Sequence, residues 1–237
     1  MKSNFLLVFV LVASTVLVHA QGETRIGIKA GFTSANVWGK DVSQLSNNGS
    51  AALLHGFHVG LFVNSKIGRY FWIKSEVLTI QKGAVLRVAD KWNQQYNSNF
   101  KSQYIDVYPL SPTFHFRGFQ VFAGPYVSTL LSSSIQQKDS LGTMQSNTSI
   151  FGLPHQNAIY RRKLDVGIVI GLEYEFKSGI TISGHYTRGF IPLFEDIASI
   201  VTNPSGPPPP EQKVYNKSLS LSLGYSFGGH RRKNAKS

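Results

Sequence analysis

The chain contains no cysteine. Disulfides, thiolate metal sites and cysteine nucleophiles are therefore excluded, so stability must come from hydrogen bonding and packing. Acidic residues are also scarce: 12 Asp and Glu face 24 Lys and Arg, a formal net charge of +12. Such a balance directs attention to nucleic acid, but the basic residues are scattered over prospective loops and strand ends, and a nucleic-acid partner is set aside. One cluster stands out, Arg231, Arg232, Lys233 and Lys236 in the tail. The excess positive charge is either a solvated surface with a solubilising tail or a surface facing anionic lipid headgroups. Long apolar runs are absent after residue 20. Residues 1–20 themselves read as a signal peptide, with Lys2, an apolar stretch over 5–18 and the sequence V-H-A before Gln21. That stretch is too short for a permanent helix, which needs roughly 20 apolar residues. With no cysteine after the cleavage point, a lipid-anchored form is not expected.

What is present instead is alternation. Residues 218–227 read S-L-S-L-S-L-G-Y-S-F, with Leu219, Leu221, Leu223, Tyr225 and Phe227 on one parity and Ser or Gly on the other. Period two marks a β-strand with one oily and one polar face. Eight such stretches are expected, over about 25–35, 55–64, 71–82, 103–116, 118–131, 164–176, 179–190 and 218–227. The sixth alternates without a break from Leu164 to Phe176, against Asp165, Gly167, Val169, Gly171, Glu173 and Glu175. Its twelve steps span about 40 Å, and at a tilt near 40° they rise about 30 Å, the thickness of a hydrocarbon core. Pro109 and Pro112 are expected to disturb the fourth strand.

The connections after strands two, four and six are short, at 65–70, 117–118 and 177–179. Those after one, three, five and seven are long, at about 36–53, 83–102, 132–163 and 191–213, the last holding prolines 207–210. This rhythm predicts an all-β, eight-stranded antiparallel up-and-down transmembrane β-barrel with long extracellular loops and short periplasmic turns. The barrel domain takes residues 21–227, and 228–237 form a basic tail. Aromatics gather near the short turns (Tyr70, Phe71, Trp72, Phe114, Phe116, Phe119, Tyr174, Phe176, Tyr225 and Phe227) and predict an interfacial girdle.

Residues 25–32 (R-I-G-I-K-A-G-F) and 56–61 (G-F-H-V-G-L) resemble the first hairpin of the outer-membrane β-barrel family of Bacteroidota, often labelled PorT-like or porin family. Residues 75–78 with 81–83, 104–110, 124–126, 165–171, His185-Tyr186 with Gly189, and the final L-S-L-G-Y-S-F extend the resemblance over nearly the whole chain after the signal. It implies an outer-membrane location, delivery by the barrel-assembly machinery and, through the namesake group, a link to type IX secretion components. Family members commonly end at the last aromatic, whereas here the chain continues beyond Phe227.

An eight-stranded barrel is just wide enough inside for side chains. The inward charges, Lys29, Lys74, Glu76, Asp106, Asp165, Glu173 and with them Glu175, His185 and Arg188, therefore read as a mixed-sign polar network rather than a conduction path. His185 shares its parity with Ser183 and Thr181 beside Glu173, the makings of a lipid-modifying site of lipid A acyl chemistry; a hydrogen-bonded interior histidine is the plainer reading. His55, His115 and His155 have no metal-ligand spacing, and no cofactor is expected. Arg161, Arg162 and Lys163 stand at the outer rim, where they either pair with lipopolysaccharide phosphates or form a solvated loop base. The expected work is that of a monomeric, non-enzymatic barrel: structural, loop-binding or secretion-accessory. A soluble lipocalin-like ligand binder is the further alternative, and it would need the opposite parity, apolar residues inward.

Overall fold

Alternation becomes strand along most of the chain. The computed structural model describes residues 23–45, 51–89, 95–138, 144–147, 163–194 and 213–227. Its eight long strands are β1 Thr24–Trp38, β2 Leu54–Lys66, β3 Phe71–Ala89, β4 Gln95–Phe116, β5 Phe119–Lys138, β6 Leu164–Glu175, β7 Ile180–Gly189 and β8 Tyr215–Phe227. Each pairs antiparallel with its sequence neighbour. The last strand pairs with the first from Ile26↔Phe227 to Trp38↔Tyr215 and closes the ring. Short pieces Ala51–Ala52 and Met144–Asn147 add to β3 and β5, and one helical turn, Val42–Leu45, follows β1. Among the described residues no helix is long and apolar enough to cross a membrane, a statement that does not bear on strands.

A circuit from Ile28 through Leu61, Val77, Val107, Val127 and Val166 comes back through β7 and β8 to the far end of β1. That offset requires tilted strands and a lumen filled by side chains. The parity is inward-polar: Leu219, Leu221 and Leu223 are 53%, 63% and 62% exposed, while Ser218, Ser220 and Ser222 are 2%, 0% and 6% exposed. A soluble ligand-binding barrel needs the reverse. Where large rings do turn inward they lie on glycines. A Cβ on Gly27 would meet Phe62 Cζ at 2.2 Å, and one on Gly171 would meet Phe122 Cζ at 2.3 Å. Small residues on one strand thus make room for rings from the next.

The turn between β4 and β5 is the two-residue Arg117–Gly118, both at positive φ (50° and 92°), as a tight hairpin requires. Aromatic contacts surround the short turns, including Phe119–Tyr174 at 4.8 Å and Tyr225–Phe227 at 5.0 Å between ring centroids. Trp72 departs from the expected girdle: it points inward and is 4% exposed. Pairing of β4 with β5 lapses between Val107 and Thr113, the stretch that holds Pro109 and Pro112. The prolines lack the N–H that a ladder uses.

The outer ends differ from expectation. Residues 83–102 read as a loop, yet β3 runs to Ala89 and β4 starts at Gln95. Above the oily belt the polarity reverses. Inward residues become apolar, and Val37, Ala84, Leu86, Phe100, Leu193, Phe194 and Val214 pack into a buried cluster over the outer mouth. On β4 the outward residues there, Asn97, Asn99 and Lys101, are polar, the pattern of a sheet that faces water rather than lipid.

Candidate functional site

The lumen collects charge because every second residue faces it. Lys29 comes from β1, Lys74, Glu76 and Lys82 from β3, Asp106 from β4, Asp165 and Glu173 from β6 and His185 from β7; all are at most 2% exposed. Lys29 donates to Glu76, and Lys74 donates to Glu173. Lys74 also lies 3.4 Å from Glu76, which joins the two pairs into one chain of alternating charge. Lys82 pairs with Asp106 at 2.7 Å. Arg25 reaches Glu175 at 2.6 Å near the inner end.

The two central lysines are further held between rings. Lys74 Nζ lies 5.3 Å from the centroid of Phe62 and 4.7 Å from that of Phe122. Lys82 repeats the arrangement with Tyr104 at 5.3 Å and Tyr126 at 4.6 Å. Aromatic faces attract a desolvated ammonium, which offsets part of the cost of burying it. Asp165 accepts from Tyr126 Oη at 3.0 Å and Asn216 Nδ2 at 3.1 Å, and Asp106 accepts from Ser128.

Arg188, expected inside, is outside. Thr187 faces the lumen, so the next residue must face away, and the Arg188 guanidinium lies 3.8 Å from the centroid of Trp38 on the outer surface. It is paired across the ladder with Lys217, which has the same outward parity. Trp38 stacks on Tyr215 at 4.9 Å and donates its indole N–H to the Asn216 carbonyl at 3.2 Å. Of the expected outer-rim trio, Lys163 is exposed just before β6. Arg161 and Arg162 lie outside the described residues, as do His155, the expected signal over 1–20 and the expected tail over 228–237.

The family model for the outer membrane protein beta-barrel domain matches residues 19–195. The chain belongs to this family. It is an outer-membrane protein, and its oily belt sits in the lipid bilayer. Among solved structures, Ail of Yersinia pestis with a heparin analogue is similar at 11% identity, covering 86% of this chain and 99% of that one, with a TM-score of 0.44. OprG of Pseudomonas aeruginosa is similar at 9% identity over 88% and 98%, with a TM-score of 0.43. Neisserial surface protein A is similar at 12% identity over 86% and 97%, with a TM-score of 0.42. No curated protein matches.

In this outer-membrane barrel His185 Nε2 lies 3.2 Å from Tyr108 Oη, and Glu173 is taken up by Lys74. A nucleophile, base and orienting acid in series are not formed there among the described residues. A different histidine, His58, touches a serine: its Nε2 is 2.7 Å from Ser222 Oγ. Its other nitrogen meets Thr33 Oγ1 at 2.9 Å in place of a carboxylate. Both partners are buried on the lumen side of the oily belt. Among the described residues no group of three His, Cys, Asp or Glu is placed to hold a metal ion.

Sequence reasoning passed over Lys82, His58, Tyr104 and Tyr126. Lys82 has the even numbering of Lys74 and Glu76 on one strand, a parity signal that places it inside. Tyr126 likewise follows Phe122. His58 was on the inward parity of β2, with nothing to single it out until Ser222 and Thr33 are brought beside it.

Proposed function

We propose that this is a monomeric, non-catalytic outer-membrane barrel whose lumen is a structural plug and whose interactions are made by its loops, rims and ends. The observation that carries this reading is the lumen itself, where Lys29, Glu76, Lys74 and Glu173 pair in one chain of alternating charge at near-zero exposure. Ions and substrates would have to break those pairs to pass. The apolar cluster over the outer mouth adds a second barrier. Purified barrel in a planar bilayer is expected to give no discrete conductance steps at physiological salt. Steps that survive purification of a single folded band would overturn the plug reading. The lipid-modifying alternative predicts an acyl-chain change in lipid A when the gene is deleted, and an unchanged mass profile is expected.

For the outer leaflet, support comes from Arg188 and Lys217. Like charges directly opposed on neighbouring strands repel unless an anion lies between them. Here both face outward beside Trp38 and Tyr215, whose rings suit the headgroup level. Lipopolysaccharide phosphate is the anion we assign there, with Lys163 and its neighbours Arg161 and Arg162 as a further part of the rim. The double variant Arg188→Glu, Lys217→Glu is expected to retain lipopolysaccharide at least about tenfold more weakly during detergent purification, the effect of losing two charge-assisted contacts. Unchanged retention would remove this part of the reading.

The PorT-like, secretion-accessory role rests on the order and spacing of the short motifs rather than on geometry. Loss of type IX cargo secretion in a deletion strain is its test. Phe227, the aromatic end of β8, is the feature that supports recognition by the barrel-assembly machinery.

A further inference from the structure

At the inner end of the barrel a cavity of about 320 Å³ opens between the β2–β3 and β4–β5 turns. Its size falls at the small end of ordinary ligand sites. Four cations line it: Arg25, Lys66, Arg69 and Arg117. The carboxylate lining it is Glu23, 2.5 Å from Arg25 and 3.7 Å from Lys66. Burial raises the Glu23 carboxyl, but its hydrogen bond with Arg25 and the charges of Arg25 and Lys66 outweigh this and hold it below the usual carboxylate range. It is thus ionised at neutral pH, and the lining still carries a surplus of positive charge.

Arg69 and Arg117 meet no carboxylate among the described residues. They lie over the rings of Tyr70 and Phe116, each 5.2 Å from the centroid. A second observation points to a missing partner. Trp72, 4% exposed, lines the cavity and its indole N–H has no acceptor. His115 Nε2 in the same lining is also without a partner. An indole N–H can only donate, and a buried donor left unpaired is destabilising. Water or an anion must complete it. A phosphate group sets its oxygens tetrahedrally and can accept from cations on several sides at once, whereas the two oxygens of a carboxylate lie in one plane.

We propose that this cavity binds a phosphate group at the periplasmic mouth, held by Lys66, Arg69 and Arg117 with the Trp72 indole as a donor. Tyr70 and Phe116 stand at the headgroup level of the inner leaflet, where a phospholipid phosphate is at hand; a soluble phosphomonoester carries the same chemistry. The site does not depend on the plug or on the outer rim.

The test uses the full-length barrel, ¹⁵N-labelled and refolded in a phosphate-free sugar detergent, with the indole resonance assigned by its loss in Trp72→Phe. One arm adds glycerol 3-phosphate. Another places the barrel in nanodiscs of phosphatidylglycerol or of a phosphate-free galactolipid. A saturable shift of the Trp72 indole in the first arm assigns a soluble ligand, and a shift confined to phosphatidylglycerol nanodiscs assigns a lipid headgroup. In either case Arg69→Gln, Arg117→Gln is expected to weaken saturation roughly tenfold or more. These exposed turn residues leave the lumen pairs untouched, and Lys66→Gln offers an independent variant should the turn pair fold poorly. An unmoved Trp72 resonance in both arms, an equal shift from acetate at matched ionic strength, or saturation unchanged in both variants would overturn the proposal.

Discussion

Replacing Lys74 by methionine is expected to destabilise the barrel by about 3–5 kcal/mol, because it leaves buried carboxylates without their cation. Lys74 bridges Glu173 and Glu76 at 0% exposure and is flanked by Phe62 and Phe122. Methionine keeps much of the length and the contact with the rings, so the loss reports charge rather than volume. Urea unfolding in lipid vesicles, followed by the heat-dependent shift of the folded band on gels, measures it. The second variant, Lys74→Met with Glu173→Gln, is expected to recover most of the loss, since a neutral pair no longer needs a counter-charge. A single-variant loss below about 1 kcal/mol would mean that the network is not ionic, and the plug would need another explanation.

Leu221→Arg is expected to cost about 2–4 kcal/mol, whereas Ile180→Arg is expected to cost no more than about 1 kcal/mol. Leu221 is 63% exposed halfway along β8, so its side chain stands in the middle of the bilayer. Ile180 is equally on the oily face, 43% exposed, but begins β7 beside a turn, where arginine can reach headgroups. The comparison of the two substitutions by unfolding in vesicles is more informative than either alone. Equal costs would show that the oily belt is not centred where the strand register puts it.

Much of this was legible from alternation. Lys29, Lys74, Glu76, Asp106, Asp165, Glu173 and His185 were placed inside by parity, and the coordinates put them there. Arg188 was placed inside with them and lies outside, the face that counting from His185 gives. Which acid meets which base was beyond reach, because alternation gives a side of the strand and not a height in the barrel. Lys74 and Glu173 meet across the lumen from β3 and β6, a contact fixed by tilt and register around the whole ring. The outer ends of β3 to β5 were hidden for a different reason. There water and lumen exchange roles, so apolar residues such as Ala84, Leu86 and Phe100 turn inward and the alternation changes phase. Trp72 was grouped with its aromatic neighbours by position, while its parity belonged with Lys74. The periplasmic cavity draws on Glu23, Arg25, Lys66, His115 and Arg117 from separated segments, and no local pattern announces it.

The seam between β1 and β8 has a consequence for biogenesis. Its thirteen-pair register unites the first and last of the described strands, so a nascent chain halted before Tyr215 keeps two open edges with unpaired amides and carbonyls. Such an intermediate cannot rest in hydrocarbon unaided. Insertion must therefore wait for β8, or rely on a scaffold that lends a temporary strand until the zipper shuts.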